Sequence, residues 1–353
     1  MSNMIYIEKS DLLKALKIVR PAVSARSTIP ILQTVHIAVT PRQMTITASN
    51  LELSIRTALP VIATDTSAVC LPYKSLLKII APMTKQISMN IKEDAVFYMG
   101  NSQIELEGLP ANEFPEFYGG NISKSGASDI FTKIARRVVF SCETTNDRPV
   151  LTGVYLNSTS GRMNASATDG YRLTVLETKY RLSENVIVPA CAIKEIAKLS
   201  NPSVYIDKGQ IIAVDDSTTI VSVLIDGKYP NIDAAIPQHH RIKIMVDCND
   251  LLGSIRPVLA IVEKDEPCVK ISNKMISGTQ GILVTYKSYT TWLPVQQEGE
   301  NIKPIGFNVH YLMDALNAAG EGEITLGYTS PTHPMTIRGQ DENWKHVIMP
   351  MKV

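Results

Sequence analysis

Three stretches of this chain open in the same way. "SDLLKALKIV" from Ser10, "SDIFTKIARRVV" from Ser128 and "NDLLGSIRPVL" from Asn249 each read as a polar cap, an acid in the first turn and apolar residues at helical spacing. The acids, Asp11, Asp129 and Asp250, lie 118 and 121 residues apart, about one third of the 353-residue chain. A second helical pattern follows within each third: "PYKSLLKIIA" from Pro72, "PACAIKEIAKL" from Pro189 and "VHYLMDALNAA" from Val309. The prolines at Pro72 and Pro189 are expected in the first helical turn, where a missing N–H costs nothing. Alternating β-rich runs such as "QMTITASNLELSI", "VYLNSTS", "GILVTYKSYTTWLPV" and "HPMTIRG" fill the remainder. The pattern predicts three units of one plan, each with two helices and many short strands.

The glycine- and serine-rich passage "FPEFYGGNISKSGAS" and the passage "YPNIDAAIPQHHR" separate the thirds, giving expected domains at 1–120, 127–238 and 239–353. A 44% hydrophobic content is enough for several cores. No apolar run approaches the ~20 residues of a membrane span, and "MSNMIYIEKS" lacks a signal-peptide pattern, so the expected location is the cytoplasm. Five scattered cysteines fit reduced, buried thiols better than a disulfide framework or a zinc site.

A formal charge of +1 conceals a segregation. The six helical segments hold fourteen Lys and Arg against six Asp and Glu, while the rest of the chain holds 21 bases and 28 acids. Residues three or four apart share a helix face. Lys14, Lys17 and Arg20 therefore form one stripe, Lys133, Arg136 and Arg137 another, and Lys74 with Lys78 and Lys194 with Lys198 two more. A wet helix face explains any one of these. Four of one sign in an otherwise acidic chain suit a phosphate backbone bound without reading its sequence.

Catalytic constellations are lacking. There is no phosphate-binding loop, dinucleotide fingerprint, H-E-x-x-H or G-x-S-x-G pattern. The six histidines are scattered apart from His239 and His240, and Asp215–Asp216 reads as a turn before it reads as a metal pair. "ATDGYRL" (167–173) gathers an acid, a glycine, an aromatic and a base. Its Asp169-Gly170 pair predicts a two-residue hairpin with both residues left-handed, Thr168 and Tyr171 flanking it and Arg172 pointing at water.

Together with "ATDGYRL", the segments "RPVLTGVYL", "IDGKYPNIDAAIP", "IPILQTVHI", "ASNLEL", "GFNVHYLMDALNA" and the terminal "VIMPMKV" stand in the order and spacing of one family. The chain resembles the bacterial DNA polymerase III beta subunits, the sliding clamps, along its whole length. The resemblance implies an α+β clamp fold and a ring-shaped homodimer. Each chain would contribute three similar domains, with helices on the inner face and antiparallel sheets outside. It further implies a non-enzymatic processivity factor without a cofactor or metal, which slides on duplex DNA and tethers a polymerase, a clamp loader and other carriers of short peptides.

The helix stripes, Lys14, Lys17, Arg20, Lys74, Lys78, Lys133, Arg136, Arg137, Lys194 and Lys198, would line the hole, with Arg26 and Arg148 nearby on loops. The implied partner pocket maps onto Leu151, Thr168, Gly170, Tyr171, Arg172, Leu173, Pro230, Val347, Ile348, Met349, Pro350, Met351 and Val353. Leu, Val, Ile, Pro and adaptable Met suit an apolar groove beside a hairpin edge.

Some positions depart from the family. Ala234 and Ala235 replace a basic residue and a larger aliphatic, and Ala190-Cys191 replaces a basic pair. The ion pairs expected at the subunit boundary are missing at "NSQ" (101–103) and "TYKSYTT" (285–291), leaving Ile104, Leu106, Ile261 and Val262 to hold it with few charges. Such subunits would not mix with a more standard clamp. A scaffold that keeps the ring and groove without a replicative role is the alternative reading. A hydrolase using Asp169 or Asp215–Asp216 is a distant third.

Overall fold

The computed structural model describes residues 4–119, 129–159, 162–182, 184–301, 303–339 and 343–352. All six expected helices form: α1 (Lys9–Val19), α2 (Tyr73–Ile80), α3 (Ile130–Arg137), α4 (Ala190–Ile196), α5 (Cys248–Ile255) and α6 (Val309–Ala319). Their amphipathic spacing sets what they bury. In α1, Leu12, Ala15, Leu16 and Val19 face inward while Lys14 and Lys17 stay exposed. Leu12 and Leu16 are fully buried, which stabilises the fold by about 1.5–3 kcal/mol each.

The helix starts differ from the expected caps. The first turn of α1 begins one residue before Ser10, and no side chain caps it. The cap of α5 is Asp247 rather than Asn249, its carboxylate accepting from Asn249 N (2.9 Å) and Asp250 N (3.2 Å). A carboxylate two positions upstream reaches both amides and adds favourable charge at the helix start, so it displaces the neutral amide. Pro72 and Pro189 end strands immediately before α2 and α4 rather than sitting in the first turn. Ser128 lies outside the described residues.

The chain forms two compact units: Met1–Ser128 with Glu195–Leu224, and Asp129–Lys194 with Ile225–Val353. In the first, a five-stranded sheet runs in the order Ile62–Ala63, Met4–Glu8, Gln86–Ile91, Ala95–Met99, Ser102–Leu106. A seven-stranded sheet runs Ser203–Asp207, Gln210–Val214, Thr218–Val223, Leu53–Pro60, Gln43–Ser49, Thr34–Val39, Ser67–Pro72. The second sheet crosses from the first third of the chain into the second. Thr218 pairs with Thr57, and their hydroxyls lie 3.1 Å apart in the buried ladder.

The second unit has a nine-stranded sheet in the order Val186–Pro189, Gly153–Thr159, Arg162–Thr168, Arg172–Thr178, Trp344–Ile348, Met335–Arg338, Glu323–Tyr328, Ile242–Asp247, Gln296–Gly299. Here the second and third thirds meet, Arg172–Thr178 pairing with Trp344–Ile348. A four-stranded sheet runs Tyr289–Pro294, Thr279–Tyr286, Cys268–Ile276, Ile305–Asn308. Among the described residues all strand pairs are antiparallel. Ser102–Leu106 and Tyr289–Pro294 end their sheets, so each presents an outer row of backbone groups, the feature that invites another strand.

Of the cysteines, Cys70, Cys142 and Cys248 are buried, Cys268 is half-buried, and Cys191 is exposed, contrary to the expected burial of all five. Cys191 follows Ala190 in the first turn of α4, on the side away from buried Ala192 and Ile193. Burial pushes the Cys142 thiol up to about 12.

Candidate docking groove and basic helices

The "ATDGYRL" turn is wider than two residues. Thr168 pairs with Leu173, so four residues span the gap, and only Gly170 is left-handed (φ 89°). The Asp169 side chain organises the turn. Its Oδ1 accepts from the backbone N–H of Tyr171 and of Arg172, both at 2.9 Å, and its Oδ2 accepts from Arg172 Nε at 2.9 Å. A carboxylate that can satisfy two backbone donors and a guanidinium together favours this wider turn over the two-residue alternative.

Arg172 consequently points inward and is buried, not aimed at water. Its Nη1 donates to Asp314 Oδ2 on α6 at 2.6 Å, and its guanidinium lies 4.3 Å from the Tyr311 ring centre and 5.5 Å from that of Phe140. It fastens the turn to α6. Thr168 completes the geometry: its hydroxyl donates to Arg172 O (2.6 Å) and accepts from Gly170 N (3.0 Å), and its own N–H donates to Tyr229 Oη (3.2 Å).

Beside this turn Leu151, Leu173, Val175, Ile187, Tyr229, Ile232 and Val347 form one apolar cluster, with Val150, Tyr155, Ile225 and Ile236 packed on it. Tyr229 stacks on Tyr155 with ring centres 5.0 Å apart. Tyr171 and Met349 stand at the rim, 63% and 43% exposed. The Met349 amide donates to Tyr171 O at 2.9 Å and the Met351 amide to Gly306 O at 2.8 Å, which ties down the C-terminal segment. The hairpin, the "YPNI" passage and the chain end thus converge, Pro230 standing exposed beside Tyr229, while Ile348 is fully buried and Pro350 and Met351 are half-buried. Val353 lies outside the described residues.

Below the cluster, His346 is fully buried against Phe140 and Trp344, with Nδ1 2.8 Å from Thr174 Oγ1. Burial, reinforced by the Arg172 charge, pushes the imidazole down to about 3.

The basic stripes are exposed at Lys14, Lys17, Arg20, Lys74, Lys78, Lys133, Arg136, Lys194 and Lys198, and half-buried at Arg137. Lys17 and Arg20 join Lys74 along one groove of about 680 Å³ between α1 and α2, so two stripes become one surface. Elsewhere acids temper the charge: Asp129 lies 3.4 Å from Lys133, and Glu195 2.6 Å from Lys198. Arg26 is exposed on a loop. Arg148 has structural partners, donating to Glu143 Oε2 (2.9 Å) and to Asp169 O. No group of three or more metal-binding side chains occurs among the described residues, and Asp215 caps its own turn by accepting from Ser217 N (3.0 Å) and Thr218 N (2.7 Å).

The chain matches three successive family models: the N-terminal domain of the DNA polymerase III beta subunit over residues 4–118, the central domain over 127–231 and the C-terminal domain over 233–352. It belongs to the DNA polymerase III beta subunit family. The beta sliding clamp of Bacillus subtilis is 27% identical, covering 98% of each chain, and that of Staphylococcus epidermidis is 27% identical over 91% of this chain and 92% of its own. The crystal structure of the B. subtilis clamp superposes with a TM-score of 0.89 at 24% identity over all of both chains. A Pseudomonas aeruginosa sliding clamp bound to griselimycin superposes at 0.88 with 23% identity, again over all of both chains. Members of this family are non-catalytic processivity factors, so Asp169 and Asp215–Asp216 have no reaction to serve.

Sequence reasoning missed the inward course of Arg172, the organising part of Asp169, and the participation of Tyr229 and Ile232 in the apolar cluster. The only advance signal was the pair of aromatic-proline exits, "FPEF" and "YPNI", of which the second supplies Tyr229. Of the expected boundary residues, Ile104 is exposed on the end strand Ser102–Leu106 and Leu106 is buried beneath it. Ile261 is exposed and Val262 half-buried just after the 3-10 turn Arg256–Ala260.

Proposed function

We propose that two copies of this chain close into a ring that encircles duplex DNA, slides on it without reading sequence, and tethers a DNA polymerase and other partners in the bacterial cytoplasm. The observation that carries the proposal is the succession of three beta-subunit domain matches over residues 4–118, 127–231 and 233–352. No helix among the described residues is long and apolar enough to cross a membrane.

Within this reading the domains are 1–120, 127–238 and 239–353. The exposed bases of the helices, with Arg26, face the phosphates; Arg148, already held by Glu143, contributes less. A sliding ring needs many weak, screened contacts rather than a few strong ones, and solvent-exposed Lys and Arg provide them. The boundary between copies joins the end strand that carries Ile104 to the end strand Tyr289–Pro294, with Ile261 and Val262 beside it. The apolar cluster beneath Tyr171 and Met349 receives the short peptides of partners, its floor offering shape and its hairpin rim offering backbone hydrogen bonds.

The test is topological. Loaded by its cognate clamp loader, the protein should remain on nicked circular DNA through gel filtration in high salt and leave once the circle is cut. Equal retention on circular and linear DNA would contradict encirclement and favour a scaffold that merely touches DNA.

A further inference from the structure

The apolar cluster lies on a face of the nine-stranded sheet that continues into a cationic groove. Directly paired residues of an antiparallel sheet share a face. One row across it reads Thr168, Leu173, Val347, Thr336, Gly327, Lys243, Glu298. The next, two residues along each strand, reads Ser166, Val175, Lys345, Arg338, Thr325, Met245, Gln296. Leu173, Val175 and Val347 are floor residues of the apolar cluster. Lys345, Arg338 and Lys243 therefore begin where that floor ends.

A depression of about 620 Å³ marks this second region, lined among others by His239, His240, Lys243, Glu298, Thr336 and Arg338. Gly327 makes room for it. A Cβ there would meet His240 Cδ2 and Thr336 Oγ1, each at 2.5 Å. His240 lines the space with Nε2 2.9 Å from Thr336 Oγ1. Among the described residues Glu298 is the one acid lining the depression, and it lies 3.7 Å from Lys243. The imidazole feels the surrounding field: burial first, then Arg338, Lys243 and His239, hold it below the usual histidine range.

We infer that this depression receives acidic side chains flanking the apolar anchor of a docked peptide, so that partners are selected by Asp or Glu beside their hydrophobic residues. The inference rests on the peptide-groove reading above. Charge complementarity and continuity with the apolar floor both favour this occupant. The span fits as well: Val347 to Gly327 crosses two strand spacings, about 10 Å, which three extended residues cover. Acids three or so positions from the anchor thus reach Arg338 and Lys243, while an acid nearer the anchor meets Lys345.

Two fluorescein-labelled peptides test this, each with a Leu-Leu-Phe core, one flanked on both sides by three Asp and the other by three Ser. On the unaltered protein the acidic peptide should bind about five- to tenfold tighter, with the advantage fading in 0.5 M salt. R338Q/K345Q should bring the acidic peptide to the affinity of the neutral one and leave the neutral one within about twofold. Equal binding of the two peptides, or an advantage that survives R338Q/K345Q, overturns the inference while leaving the apolar groove intact. Met349→Ala should weaken both peptides alike. If it weakens neither while the charge-dependent advantage persists, the apolar-groove reading falls and the cationic site stands alone. Absence of binding by either peptide overturns both.

Discussion

Replacing Asp169 with Ala removes the acceptor that organises the turn between Thr168 and Leu173. The side chain is 9% exposed and its two oxygens hold Tyr171 N, Arg172 N and Arg172 Nε. Removing one partner of a buried ion pair costs about 3–5 kcal/mol, because the remaining charge stays buried. Arg172 keeps Asp314 and the faces of Tyr311 and Phe140, which argues for the lower end, about 3 kcal/mol. Asn at 169 preserves an acceptor for the two amides but loses the charge and the acceptor for Arg172 Nε, so about half that cost is expected.

The assay is urea unfolding followed by tryptophan fluorescence. Both tryptophans, Trp292 and Trp344, lie in the unit that contains the turn, so the signal reads that unit. With m near 2–3 kcal/mol per molar urea, D169A should lower the midpoint by about 1 M and D169N by about 0.5 M. A shift below about 0.2 M for D169A would refute the claim that this carboxylate holds the turn. The neutral peptide should lose affinity for D169A, since Tyr171 and Gly170 would no longer be fixed at the rim.

Other predictions concern pH, the glycine, DNA and assembly. His346 has a folded pKa depressed to about 3 against 6.5 in the unfolded chain, so its stabilisation is complete above pH 6.5 and declines as the pH falls toward 3. His346→Gln should remove up to about 1.4 kcal/mol per pH unit of the acid slope in the tryptophan-monitored transition between pH 6 and 4; an unchanged slope would refute it. Gly170→Ala would place a Cβ 2.7 Å from Arg148 Nη1 in a left-handed backbone, so peptide affinity should fall by about fivefold or more, measured by fluorescence anisotropy. K17Q/R20Q/K74Q should reduce the slope of log K against log salt for duplex DNA by about 2–3, measured by filter binding across salt concentrations. Ile104→Asp on the exposed end strand should convert dimer to monomer in sedimentation; a persistent dimer would move the boundary elsewhere.

Helical periodicity made all six helices legible, because one apolar face per helix must be buried wherever the helix sits. The strands were legible as β-rich runs, but their partners were not. Thr57 and Thr218 are 161 residues apart in sequence, and nothing local says that one sheet carries both thirds. The convergence of the "ATDGYRL" turn, the "YPNI" passage and the chain end was expected from the family resemblance, while the contacts that hold it were not legible. A hairpin rule aimed Arg172 at water, yet the partner that draws it inward, Asp314, is 142 residues away on α6. The bases of the last third were missed for a related reason. Its helices carry few, whereas Lys243, Arg338 and Lys345 come from three separate strands and meet only when the sheet forms.

Whether the protein encircles DNA is decided by imaging the loaded complex. Single-particle electron microscopy of the protein loaded on nicked circular DNA should show two copies forming a closed ring with duplex density through its centre and the Lys17, Arg20 and Lys74 groove facing that density. Single copies, a dimer without a hole, or DNA lying against an outer sheet face would rule encirclement out.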